Sequence, residues 1–128
     1  MQLTLKDDLA FTRLQVAYRG AVIEITDVLV DTGSATTILG ADQVAQIGIL
    51  PEPSDTLYAI RGVGGIETVF TRRVERLQIG GLSVLDFEVE VGGMDYGFEI
   101  NGILGMDFLM KAEVIINLRD LSLEFPGA

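Results

Sequence analysis

The chain contains no cysteine and no histidine. Those absences remove disulfides, thiolate nucleophiles, Ser-His-Asp and Cys-His arrangements, and metal sites built on either side chain. Any catalysis must rest mainly on carboxylates. Basic residues are scarce as well: 9 Lys and Arg face 19 Asp and Glu, for a formal charge of −10, which repels phosphate backbones and anionic membrane surfaces. Neither nucleic acid nor a membrane is an expected partner. No apolar run approaches the ~18 to 20 residues needed to span a bilayer, and "MQLTLKDDLA" lacks the basic-then-apolar layout of a signal peptide. A soluble, cytoplasmic protein is the expectation.

What is present suits one domain, residues 1–128, long enough to bury a single core. Hydrophobic residues make up 48% of it, consistent either with surface buried between subunits or with a strand-rich core. The pattern is strand-rich. "FTRLQVAYRGAVIEITDVLV" reads as a hairpin about "YRG", "TLYAIRGVGGIETVFTRR" as a second with a glycine-rich tip, and "VERLQIGGLSVLDFEVEVG" as a third about Gly80 and Gly81. "ADQVAQIGI" has helical spacing and stops before Pro51 and Pro53, a second short helix begins near Gly105, and two strands around "RD" close the chain. The expected class is mostly β with one or two short helices.

The chemistry-bearing stretch is "DVLVDTGSATTIL", residues 27–39. A buried-looking strand ends in Asp31, followed by a glycine that permits close approach and by the hydroxyls of Thr32 and Ser34, which can hydrogen-bond a carboxylate or a nearby backbone group. Such a segment presents an acid. A DTG triplet by itself is weak, since chance supplies one in roughly a few per cent of chains this long, and on the triplet alone an ordinary turn between strands is the better explanation.

The flanks remove that ambiguity. "VLV" before, "TIL" after and Thr37 six positions beyond Asp31 match the retropepsin-like aspartic proteases. "GILGMDFLMKAEVIINLRDLSLEF" supplies the family's apolar-apolar-Gly segment (Ile103, Leu104, Gly105), then Asp107, a helix and a hairpin. Between them "IRGVGG", residues Ile60, Arg61, Gly62, Val63, Gly64 and Gly65, is similar to the flap that closes over substrate. The three matches occur in family order over about residues 11–125, and the chain most resembles the cellular, DNA-damage-inducible type and its bacterial relatives. Two departures stand out. Retroviral members carry an Asp and an Arg, paired with each other, where this chain has Ala35 and Met106; their joint loss suggests an apolar contact in place of the ion pair and leaves Asp107 free to accept from Thr37 or nearby amides. Ser34 stands where many have Ala.

The resemblance implies a closed β-barrel of the acid protease fold, one lobe per chain. It implies catalysis by Asp31, Thr32, Gly33 and Ser34, with Thr32 bonding a partner loop, Ser34 bonding the Asp31 carboxylate, and the flap holding an extended peptide or protein substrate. Thr37, Ile103, Leu104, Gly105 and Asp107 would support the site. Peptide hydrolysis needs an acid and a base together, so the single Asp31 implies a homodimer with one carboxylate from each copy. An inactive dimerisation or peptide-binding module is the alternative. No cofactor is implied: "RGVGGIE" lacks the last glycine of a dinucleotide loop, and neither Asp27 with Asp31 nor Asp7 with Asp8 has the ligand density of a metal site. Tyr58, Met94, Tyr96 and Phe98 could line specificity pockets, although core or surface packing is the better explanation of each.

Overall fold

The computed structural model describes residues 1–62, 65–94 and 99–126, with residues 61–62 and 65–67 described by backbone alone. Chain order is β1 (Thr4–Lys6), β2 (Leu9–Tyr18), β3 (Ala21–Val30), β4 (Ile38–Gly40), α1 (Ala41–Val44), β5 (Tyr58–Gly62), β6 (Gly65–Ile79), β7 (Leu82–Gly92), β8 (Gly102–Leu104), α2 (Met106–Lys111), β9 (Ile115–Asn117) and β10 (Ser122–Glu124). The three expected hairpins are β2–β3, β5–β6 and β6–β7. The first turns at Arg19 and Gly20, both at positive φ (49° and 84°), the geometry whose twist matches two antiparallel strands. The segment expected as one helix from 41 divides into α1 and a 3-10 turn over Ala45–Ile47, which ends at Gly48 in the left-handed region.

The strands close on themselves. Strand order β2-β3-β8-β4-β7-β6 returns to β2 through Gln15–Gln78, Val16–Leu77 and Ala17–Arg76, while β1 and β5 extend the sheet from β2 and β6. Closure leaves few free edges and encloses one main core. Leu14, Val16, Ile25, Val28, Leu39, Leu77 and Leu104 are almost fully buried in it, and Phe108 of α2 plugs it, its ring edge-on to Phe87 at 5.8 Å. Strand alternation explains most of this burial, with one informative slip. Asp27, at φ 57°, forms a bulge where the β2–β3 register shifts; it changes which face successive side chains occupy, so Ile25 and Val28 both point into the core.

A smaller apolar cluster joins Phe11, Ile38, Val69, Ile100 and Ile103 to Leu29, Ile60 and Met94. Outside the barrel, β9 and β10 pair as a separate ribbon. Residues 1–3 lie along the other side of β10, with Leu3 N–H donating to Leu121 O at 2.7 Å and Leu123 N–H to Met1 O at 2.8 Å. Among the described residues no helix is long and apolar enough to cross a membrane.

Candidate active site

β3 delivers Asp31 to the site. The bulge at Asp27 resets the strand, and parallel pairing with β8 then fixes its end, matching Val28 with Gly102, Leu29 with Ile103 and Val30 with Leu104. The chain leaves β3 as the 31–37 loop and returns as β4, which pairs antiparallel with the other side of β8. β8 therefore runs between the two limbs of the loop, so the segment expected to pass beside the DTGS loop does so with both of its edges paired.

The underside of the loop is bonded to residues 104–107. Asp31 N–H donates to Leu104 O at 3.0 Å, Met106 N–H to Ser34 O at 2.8 Å, and Asp107 N–H to Ala35 O at 3.2 Å. Gly105 is required by this approach. Its φ of −98° suits any residue, but a β-carbon there would lie 2.5 Å from the Thr36 carbonyl carbon, closer still to its oxygen, and 3.0 Å from Ser34 O. Ala35 is exposed, whereas Met106 packs against the main core. The two segments that would hold a charged pair are thus joined through backbone; Ala35 is left exposed while Met106 turns to the main core, in place of the expected apolar contact.

Thr37 and Asp107 form a polar support. Thr37 is fully buried; its hydroxyl donates to Asp107 Oδ1 at 2.7 Å, and the Thr37 hydroxyl oxygen accepts from Gly105 N–H at 3.1 Å. Asp107 also receives Thr37 N–H on Oδ2 at 3.1 Å and Phe108 N–H on Oδ1 at 2.7 Å. This partly buried carboxylate accepts one hydroxyl and two amides, and among the described residues no arginine pairs with it.

Asp31 itself is only half-buried, and Thr32, Gly33 and Ala35 are exposed. Its Oδ1 accepts Gly33 N–H at 2.9 Å. The Ser34 hydroxyl behaves differently from expectation: it donates to Thr36 O at 2.7 Å, so its one proton closes the loop and does not reach Asp31. The backbone of β5 and β6 pairs from Tyr58–Val69 to Gly62–Gly65, and Ile60 enters the smaller apolar cluster with Ile38 and Ile103. Val63 and Gly64 lie outside the described residues, as do the side chain of Arg61 and the pocket candidates Tyr96 and Phe98. Of the other two pocket candidates, Met94 packs on the smaller cluster and Tyr58 is exposed.

Two supporting residues have little signature in the sequence. Asn101 donates through its backbone N–H to Asp27 O (3.0 Å) and through Nδ2 to Thr26 O (3.0 Å), while its O and Oδ1 accept from Gly40 N–H (2.9 Å) and Gln43 Nε2 (3.3 Å). It ties the bulge to the start of α1, yet "NG" reads only as a turn. Glu90 accepts from the Thr36 hydroxyl and donates its own N–H to Thr37 O at 2.9 Å, contacts that depend on β7 lying beside β4.

Comparison with known proteins agrees with this geometry. A family model described as aspartyl protease matches residues 14–108, which spans both the DTGS loop and the Gly105–Asp107 support. No curated protein matches in sequence. Among solved structures, a retropepsin-like aspartic protease from Rickettsia conorii superposes with a TM-score of 0.66 at 18% identity, covering 94% of this chain and 92% of that one; at that identity the likeness establishes the fold. The matched family model, the acid at the end of β3 and the paired β8 beneath it lead to one conclusion: the chain belongs to the aspartyl protease family, on a retropepsin-like fold.

Proposed function

We propose that the protein is a homodimeric aspartic endopeptidase in which Asp31 from each of two copies forms the catalytic pair. One observation carries the reading. The DTGS loop offers a single half-buried carboxylate beside the exposed Thr32 and Gly33, while Asp107, the acid held beneath it, is engaged by the Thr37 hydroxyl and two amides. The chain thus offers one half of a two-carboxylate site, and a second copy across a two-fold axis completes it. Two carboxylates held about 3 Å apart share one proton, so one takes a proton from water while the other gives a proton to the scissile carbonyl oxygen. The water oxygen then bonds to the carbonyl carbon, and collapse of the resulting diol breaks the C–N bond as the amine takes up a proton. Covering the loop with a second copy would also exclude the water that reaches Asp31 in one chain.

In this reading Thr32, exposed beside Asp31, reaches the partner loop, Gly33 and Ser34 shape the loop, and the flap over residues Ile60 to Gly65 closes on the peptide backbone. The apolar cluster of Ile38, Ile60 and Ile103 favours substrates with apolar side chains near the cut. The dimer surface falls on β9. β10, within "LSLEF", already has residues 1–3 on one side and β9 on the other, so it offers no open edge, whereas Ile115 and Leu118 are 60% and 71% exposed on and just after β9, and Met110 of α2 is 68% exposed.

The test is cleavage of a mixed peptide pool by the parent and by Asp31→Asn, with folding followed by circular dichroism. The parent should cut and the Asn variant should lose activity beyond the ~10² to 10⁴ assigned to a single acid-base group, with its fold kept. Equal cutting by both would refute the catalytic role of Asp31.

A further inference from the structure

Residues 50–57 cross from the core to the root of β5 with little regular structure. They start just after Ile49, which is 1% exposed, and end at Tyr58, paired with Val69. Leu50 and Leu57 are exposed, so apolar burial does not hold the segment. Its hydrogen bonds to the barrel, among the described residues, all come from Arg72 of β6. Nη2 of Arg72 donates to Leu50 O at 2.9 Å and to Asp55 Oδ2 at 2.7 Å, and Nη1 lies 3.5 Å from Glu52 Oε2. The same Asp55 oxygen accepts Glu52 N–H at 2.6 Å, closing the loop into a turn.

Arg72 is built into the barrel. Its side chain is 12% exposed, as is that of Asp55, and its guanidinium carbon lies 5.2 Å from the centroid of the buried Phe70 ring. Burial, stacking, two hydrogen-bond acceptors and a second carboxylate close by distinguish it from an exposed surface pair, which is worth little. The Glu52 amide first, and the Arg72 guanidinium after it, hold the Asp55 carboxyl below the usual carboxylate range against the opposing effect of its burial. The latch is therefore charged across neutral and mildly acidic conditions, and its contribution fades only as pH falls through that lowered value.

We propose that Arg72 is a positioning residue: by clamping residues 50–55 to β6 it sets the root of β5, and through β5 the placement of Ile60 beside Ile38 and Ile103 at the cleft. The substrate consequence rests on the peptidase reading; the structural consequence does not. With the clamp open, β5 keeps its pairing to β6 but loses its fixed start, and binding weakens without a change to the reacting carboxylates.

The experiment compares the full chain with Arg72→Met, which keeps the stem over Phe70, with Asp55→Ala, with the double variant and with Arg72→Lys. Amide hydrogen exchange over residues 56–62 should quicken roughly tenfold or more in each single variant, with β2 and β3 unchanged. KM for a cleaved peptide should rise roughly fivefold or more while kcat moves less than about twofold. The double variant should resemble the worse single one, since both remove the same contact, and Arg72→Lys should recover part of the loss. Unchanged exchange over 56–62, additive effects in the double variant, or quickened exchange with KM unaltered would each overturn the proposal. A parent that cuts no peptide sinks the peptidase reading instead, and exchange over 56–62 then decides the role of Arg72 alone.

Discussion

Replacing Thr37 with Val keeps the shape of the side chain and removes one oxygen. That oxygen donates to Asp107 Oδ1 and accepts from the Gly105 amide in a site with no access to solvent. A hydrogen bond to a charged group contributes about 1.5 to 3 kcal/mol, and a buried N–H left unpaired costs about 1 to 3, so the loss should be about 2.5 to 6 kcal/mol. That is a large share of the roughly 5 to 15 kcal/mol by which a domain is stable. With unfolding entropy near 2.1 cal/mol/K per residue, a chain of 128 residues shifts by about 4 °C per kcal/mol, so Tm should fall by about 10 to 20 °C. Scanning calorimetry at fixed protein concentration measures it, since self-association would otherwise move Tm. Thr37→Ser, which keeps the hydroxyl and loses one methyl, should cost only about 0.8 kcal/mol or slightly more. A Val variant within about 3 °C of the parent, or a Ser variant as damaged as the Val variant, would show that the hydroxyl does not support the site.

Gly105→Ala should destabilise by at least the ~1 to 3 kcal/mol typical of overpacking, because the new methyl meets backbone at Thr36 and Ser34; Tm and peptide cleavage at parental levels would refute the close approach. Charging the β9 surface with Ile115→Glu and Leu118→Glu should give a folded monomer by sedimentation, inactive at concentrations where the parent cuts, and a persistent dimer would place the interface elsewhere. Ser34→Ala should leave the pH dependence of cleavage unshifted, because the hydroxyl donates to Thr36 O, and a displaced profile would mean that it turns to Asp31 in the assembled enzyme.

Local devices were legible in the order of residues alone. Strand-type runs along residues 11–30 and 56–92 indicated three hairpins, because one buried face favours a period of two, and Asp31 followed by Thr32, Gly33 and Ser34 marked the end of a strand that presents an acid. Gly105 and Asp107 were legible as supports, since an apolar-apolar-Gly segment implies close backbone approach. Tertiary structure decided what depended on pairing between distant segments. The bulge at Asp27 answers to register with β2, Ser34 donates to Thr36 O in a loop whose backbone is held by residues 104–107, and Met106 packs on the core that the barrel encloses while Ala35 stays exposed. Arg72 is an unremarkable cation in a strand pattern until the fold brings Leu50, Glu52 and Asp55 against it. Its hydrogen-bond partners lie 17 and 22 positions away, and a period of two or 3.6 carries no information about such contacts.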